Sequence, residues 1–354
     1  MTETFLLRED VPLSGYSTIG LGGAARYFAL SRSQEEVVQA LRFARSRALR
    51  VQVLGGGSNT LFADAGFNGI VVKIELRGVS YLEDGDWCLV SAAAGEDWDT
   101  FVRACIDRGL AGLECLSGIP GAVGASPIQN VGAYGQEVRD TIVRVDALDR
   151  GSLVAVAFDG RECGFGYRQS RFKGNDKDRF VVTGVTFRLQ RNGPPSIRYP
   201  ELRKQIESSV DLQSFGAGRP ALQAVADAVR ALRRRKSMVI DPSDPQSKSL
   251  GSFFLNPVIT TEAFERLKER RGEVPSFPAE GGIKVPAAWL VEQAGFPRGY
   301  RLGGAAISAN HALALVNLGT TTSELLGLAR RIQEGVRQRF GISLDMEPVV
   351  VLQD

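Results

Sequence analysis

Residues 117–135 read SGIPGAVGASPIQNVGAYG, which places five glycines and two prolines in nineteen residues. Neither helix nor strand tolerates that composition. Glycine enters φ > 0 conformations and lets the main chain approach a ligand closely, so backbone N–H groups can cradle an anion such as a diphosphate. A small-residue packing segment between two sheets would show the same composition. A second run favours the binding reading. Residues 51–54 form a short apolar stretch that empties into Gly55, Gly56, Gly57, Ser58 and Asn59, offering amides and a small hydroxyl to phosphate. Neither loop is G-x-G-x-x-G, and neither carries the lysine of a Walker loop. The pattern predicts a dinucleotide held outside the Rossmann arrangement.

Proton transfer has a short menu here. His311 is the single histidine, which excludes a His-rich metal centre, and no G-x-S-x-G elbow accompanies it for a Ser-His-Asp triad. Acid–base work must fall mainly to Ser, Glu, Asp, Lys, Tyr or Arg-assisted groups. Cys88, Cys105, Cys115 and Cys163 form no C-x-x-C pair and most sit among apolar neighbours, the signature of buried free thiols rather than disulfides.

The elements that position these residues follow from pattern and punctuation. Ser33 with Glu36 reads as a capping box opening a helix with Val37, Val38, Leu41 and Ala44 on one face. Strands are predicted at 51–54, 70–74 and 89–93, and a helix at 98–108 that stops at Gly109. Between 141 and 189 short apolar, β-branched runs are separated by turn signals at Asp149-Arg150-Gly151 and Asp159-Gly160. Residues 221–236 read as a helix with Leu222, Val225, Ala226, Val229 and Leu232 inward. The Pro-containing stretch 241–248 reads as a surface loop and domain boundary. A final helix opens on the capping box Thr321/Glu324 and closes before Gly341, with short strands expected at 342–344 and 349–352. The class is α+β.

At 354 residues, 44% hydrophobic and 23% charged, the chain has room for two or three domains with proper cores. A net charge of +3 argues against a general nucleic-acid binder, although Arg233, Arg234, Arg235 and Lys236 form a local basic cluster. The N-terminus lacks the basic start and apolar core of a signal peptide, and no run is long and apolar enough for a membrane span, so a cytoplasmic protein is expected.

Further polar groups stand out in Gly164-Phe165-Gly166-Tyr167-Arg168, Gly251-Ser252-Phe253-Phe254-Leu255-Asn256-Pro257, Gly303-Gly304-Ala305-Ala306 and Glu347-Pro348. Singly, each has a structural explanation: a surface ion pair, a core hydroxyl, a strand end. Together with both glycine loops, over nearly the whole chain, they resemble the UDP-N-acetylenolpyruvoylglucosamine reductases, flavoenzymes of peptidoglycan precursor synthesis.

That resemblance implies a vanillyl-alcohol-oxidase-type FAD-binding domain in two α+β subdomains, at 1–75 (joined by the tail 343–354) and 76–235, and an α+β substrate domain at 236–342. It implies FAD and NADPH as cofactors and the UDP-N-acetylglucosamine enolpyruvate as substrate. The flavin would be held by Gly55, Gly56, Gly57, Ser58, Asn59, Gly118, Gly121, Gly124, Ser126, Pro127, Gln129, Asn130, Gly132 and Tyr134. The substrate would be held by Tyr167, Tyr199, Lys236 and Asn256, with Lys236 and Asn256 near the diphosphate and nicotinamide and Tyr199 covering the UDP group.

Catalysis would rest on Ser252, Arg168 and Glu347. Hydride addition to C3 of an enol ether beside a carboxylate leaves an enolate-like charge that donors must meet before C2 is protonated. Arg168 supplies a two-pronged cation, Glu347 must be protonated or share a proton to help an anion, and Ser252 delivers the proton to C2. No metal and no membrane contact are implied, and a monomer is expected. At Pro200 the sequence departs from the family, whose loop commonly has Gly after the covering tyrosine. Two rivals remain: another oxidoreductase of the same flavin fold, disfavoured because neither glycine loop carries the His or Cys of a covalent flavin link, and a non-catalytic flavin or UDP-sugar sensor, disfavoured because Ser252, Arg168 and Glu347 are all present.

Overall fold

The computed structural model describes residues 6–208 and 216–353. The chain forms two compact units. The first takes in Met1–Val11, Ala25–Gly57 and Asn68–Val239, and the second Pro12–Ala24, Ser58–Phe67 and Ile240–Asp354.

The first unit begins with a sheet in the order Leu7–Pro12, Ala24–Ser31, Phe67–Ile74, Arg50–Leu54. Helix α1, Gln34–Ser46, buries Val37, Ala40, Leu41 and Ala44 in the same apolar cluster as Ile70, Val72 and Ile74. Val38, expected inward, is only half-buried. The expected capping box is half made. Ser33 accepts the N–H of Glu36, but the Glu36 carboxylate turns to the N–H of Arg32. Strands Arg50–Leu54 and Phe67–Ile74 pair in parallel, with Leu54 opposite Lys73, so the first strand delivers the chain into Gly55 at its C-terminal end, where α/β sheets present ligands.

A second sheet of the same unit is antiparallel along its main path, ordered Ala155–Asp159, Ile142–Asp149, Phe180–Arg191, Trp87–Ala93, Val79–Asp84. The two turn signals read from sequence fall at strand ends. Helix α2, Trp98–Asp107, is capped by Asp97 and stops at Gly109, whose φ of 70° only glycine adopts without strain. Trp98 and Phe101 bury their rings against Phe187. Helices α3, Pro200–Glu207, and α4, Arg219–Arg235, share a small core of Leu202, Ile206, Val225, Val229 and Leu232.

The second unit has a sheet ordered Ser249–Ser252, Ala314–Asn317, Ala305–Ile307, Arg301–Leu302 and a smaller one ordered Val258–Ile259, Gly282–Lys284, Phe277–Ala279. Helices α5, Thr261–Arg271, α6, Ala287–Gln293, and α7, Thr322–Phe340, complete it. Both halves of the Thr321/Glu324 capping box form, and α7 ends at Gly341 in the left-handed region. Residues 342–344 are not the expected strand. Ile342 and Leu344 are buried, and the Leu344 carbonyl accepts from the Gln333 amide rather than from a neighbouring strand. Val349–Val351 does form a strand, parallel to Thr60–Phe62. Among the described residues no helix is long and apolar enough to cross a membrane.

Candidate active site

The two glycine loops meet in the first unit, and they meet backbone to backbone. A Cβ on Gly56 would lie 2.6 Å from the Cα of Gly121, and one on Gly55 would lie 3.5 Å from the Cβ of Ala122. Glycine at 56 is thus required by packing. Among the described residues the N–H groups of Gly55, Gly56 and Gly57 have no hydrogen-bond partner, and unpartnered amides at the end of a parallel strand have the chemistry to meet an anion.

The second loop is held from several sides. The N–H of Gly118 donates to Asp99 on α2 at 2.6 Å, and its carbonyl accepts from Arg233 Nε on α4 at 3.0 Å. Arg230 closes the arrangement on Asp99 at 3.0 Å. Burial alone would raise the Asp99 carboxyl, but the Gly118 N–H and the Arg230 guanidinium outweigh it and hold it below the usual carboxylate range. Farther on, the N–H of Gly124 donates to the Ala94 carbonyl, and any Cβ at Gly124 would run into Ala94. Ser126 is buried and donates to the Val123 carbonyl at 2.7 Å, and Pro127 is buried beside it. Gln129 is half-buried.

Asn130 is fully buried with φ 47°. Its amide donates to Glu137 and to the Gly166 carbonyl, each at 2.9 Å, and accepts the Arg139 N–H. The side chain therefore shapes the loop, and straps it to the segment bearing Tyr167 and Arg168. Arg168, at φ 53°, donates to the Gly132 carbonyl at 2.6 Å, with its guanidinium 5.6 Å from the exposed Tyr167 ring. Ser170 donates to the Ile128 carbonyl at 2.6 Å.

Tyr134, Tyr199 and Lys236 gather at one place in this unit. The two rings meet edge to face, 5.4 Å apart, and the Lys236 ammonium lies 5.9 Å from the Tyr134 ring while pairing with Glu201 at 2.7 Å. Burial pushes the Tyr134 hydroxyl up to about 12 and raises that of Tyr199, so both stay protonated donors at neutral pH. Tyr199 is the N-cap residue of α3, and Pro200 takes the first helical position, where its fixed φ and missing N–H cost nothing.

The second unit brings Ser252 and Glu347 together. Ser252 ends the strand Ser249–Ser252, half-buried, opposite Ala314. The N–H of Glu347 donates to the Phe253 carbonyl at 2.9 Å, and that of Leu255 to the Asp345 carbonyl at 2.9 Å. The Asn59 amide donates to the Glu347 carbonyl at 3.3 Å. Ser58, adjoining, is half-buried. Asn256 uses its side-chain oxygen to accept the Ala287 N–H at 2.8 Å at the start of α6.

Comparison with known proteins decides the family. Residues 242–351 match the model described as UDP-N-acetylenolpyruvoylglucosamine reductase, C-terminal domain, and residues 25–156 match an FAD binding domain. The reductase of that name from Thermobifida fusca is 45% identical over 99% of both chains, and that from Mycobacterium tuberculosis is 44% identical over 98% of this chain and 95% of its own. The chain belongs to the UDP-N-acetylenolpyruvoylglucosamine reductase family. The solved reductase from Thermus caldophilus superposes with a TM-score of 0.65 at 25% identity, covering 98% of this chain and 100% of its own. The expected fold, an FAD-binding module followed by a C-terminal α+β domain, is met. With the reductase family come its activity, reduction of UDP-N-acetylenolpyruvoylglucosamine through FAD and NADPH in peptidoglycan precursor synthesis.

The residues present fit a flavin dinucleotide: free amides at Gly55, Gly56 and Gly57, and a facing loop that admits no side chain at the closest approach. Three buried or half-buried polar groups packed around the second glycine loop carry no role in the sequence analysis. Arg233, one member of the basic cluster, is 7% exposed and holds Gly118. Asp99 was not singled out. Neither was Glu114, fully buried, whose carboxylate accepts from the N–H groups of Gly112 and Ser196 and from the Gln136 amide. Only Arg233 had a legible signal, since it continues the inward series Leu222, Ala226, Val229 on α4.

Proposed function

We propose that the amides of Gly55, Gly56 and Gly57 carry the FAD diphosphate, that the loop 118–134 lines the flavin, and that Arg168, Ser252 and Glu347 act together on the enolpyruvyl group to give UDP-N-acetylmuramate. The observation that carries this reading is the backbone-to-backbone contact of Gly56 and Gly121 beside three unpartnered amides. FAD held there would supply the hydride chemistry between NADPH and C3 of the substrate.

The protein supplies the charge and the proton. Arg168 keeps its guanidinium fixed by the Gly132 carbonyl, and a fixed two-pronged cation suits a carboxylate gaining enolate charge. Ser252 Oγ holds the proton for C2, and Glu347, hydrogen-bonded through its backbone to the residue after Ser252, stands on the same carboxylate. Tyr199, packed against Tyr134 of the flavin loop, covers the UDP group, Lys236 and the Nδ2 of Asn256 take the substrate diphosphate and nicotinamide, and Tyr167 flanks the substrate beside Arg168. The reading includes a flavin module in two subdomains, a substrate domain from about residue 236, and a cytoplasmic monomer without nucleic-acid or membrane partners.

The deciding experiment is the visible spectrum of the purified protein under anaerobic conditions. A flavin band that bleaches with NADPH and returns with the enolpyruvyl substrate is expected. A colourless protein that takes up no added FAD would overturn the reading.

A further inference from the structure

Lys236 is the C-cap of α4, and its ammonium is held by the carboxylate of Glu201 at 2.7 Å. Glu201 lies in the first turn of α3, two residues beyond Tyr199. The surroundings are cationic. Arg233, Arg234 and Arg235 make up the last turn of α4 before Lys236, and Glu201 is the carboxylate in contact with the Lys236 ammonium. Arg235 is turned aside onto Gln205 at 2.6 Å. The anion position on Lys236 is thus filled by a side chain of the same short helix that Tyr199 caps.

We propose that Glu201 is a displaceable counter-ion: it occupies Lys236 in the free protein and gives that position up to the substrate diphosphate. The inference rests on the reading of Lys236 as a diphosphate ligand. The pair is about one-third exposed on the lysine side and 42% on the glutamate side, and exposed ion pairs contribute little, so its loss is cheap. A diphosphate carries more charge than a carboxylate and binds an ammonium more strongly. Displacement then removes one of the ties between α3 and the end of α4, the one nearest Tyr199, and leaves the Arg235–Gln205 bond and the shared core in place, so that arrival of a diphosphate loosens the start of α3 where the covering tyrosine sits. Glu201 is in these terms a positioning residue that selects for a doubly phosphorylated nucleotide.

The test is the affinity of the FAD-loaded protein for UDP and for uridine, measured by titration calorimetry at low and high salt. Glu201→Gln should bind UDP about three- to tenfold more tightly at low ionic strength, with the gain shrinking as salt rises and uridine affinity unchanged. Lys236→Met should lose UDP affinity, and the double variant should show no gain from Glu201→Gln. If Glu201→Gln leaves UDP affinity unchanged or weaker while Lys236→Met loses it, Glu201 is no counter-ion and the diphosphate role of Lys236 stands. If Glu201→Gln tightens uridine equally, the effect is not on the diphosphate and the proposal is wrong. A Lys236→Met protein that binds UDP like the parent would overturn the reading of Lys236, and the counter-ion with it.

Discussion

Arg233 Nε donates to the carbonyl of Gly118 at 3.0 Å from inside the core, while its Nη2 donates to the Met238 carbonyl at 2.7 Å. A buried guanidinium with fixed partners is expensive to place and expensive to lose, because removing it strands the carbonyls it served. The loop that begins at Gly118 is therefore tied to α4 through its own backbone. Arg233→Met should weaken FAD binding about tenfold or more, from the usual worth of a hydrogen bond to a charged donor. Fluorescence titration of the apoprotein with FAD checks this. An unchanged affinity with a lowered melting temperature would show that Arg233 serves stability alone.

Gly56 gives a sharper steric prediction. A Cβ there meets the backbone of Gly121 at 2.6 Å, and backbone cannot rotate away as a side chain can. Gly56→Ala should separate the two loops, lower stability by about 1–3 kcal/mol and abolish or severely weaken FAD uptake. Gly327→Ala is the control. That glycine sits in α7 with nothing within 4 Å of its would-be Cβ, so the change should stabilise by about 0.5–1 kcal/mol and leave flavin binding alone. Thermal melts and flavin titration of the two variants separate crowding from backbone entropy.

What the sequence made legible was local. The stop at Gly109 and the capping box at Thr321 and Glu324 both depend on residues a few positions apart, and both formed as read. Residues 342–344 failed as a strand because their β-branched and apolar pattern serves burial one residue at a time, with the Leu344 carbonyl claimed by Gln333 on α7. Asp99 and Gly118 illustrate the other limit. Their bond joins a helix to a loop nineteen residues on, and an aspartate on an amphipathic helix carries no mark of the amide it will meet. Asn130 is expected at the flavin by resemblance, whereas its three hydrogen bonds to protein depend on a φ of 47° that only the folded loop imposes.

Ser252 and Arg168 should separate by half-reaction. Ser252→Ala should leave reduction of the flavin by NADPH nearly intact and slow its reoxidation by the enolpyruvyl substrate about 10² to 10⁴-fold, the usual worth of a positioned acid. Arg168→Lys should cost about 10²-fold or more in reoxidation, because an ammonium cannot present paired donors. It should also weaken FAD binding, since the Gly132 carbonyl loses its partner. Anaerobic stopped flow with a parallel flavin titration reads both. Normal reoxidation in the serine variant would remove Ser252 from its role.

The four cysteines are buried. Burial raises the Cys88, Cys105, Cys115 and Cys163 thiols, the last to about 11. The reactive thiolate is therefore scarce at neutral pH as well as inaccessible. The native protein should show fewer than about one thiol reactive with a disulfide reagent at pH 8, and four after denaturation. Rapid native labelling together with loss of flavin would show that the core around Cys115 opens.

Asp99 ties the loop to pH. Its folded carboxyl lies below the usual range, with burial opposing and the Gly118 N–H and Arg230 prevailing, while the unfolded group titrates near about 3.9. A depressed folded value means the folded state binds the proton less readily than the unfolded one. The stabilisation is thus complete above the unfolded value and is lost as pH falls through the folded one. Asp99→Asn should melt below the parent at pH 7, and the gap between them should narrow as pH drops below about 4. Urea unfolding of both proteins across that range reads it directly. A gap that stays constant would mean that the ionised carboxylate contributes nothing beyond the geometry asparagine also supplies.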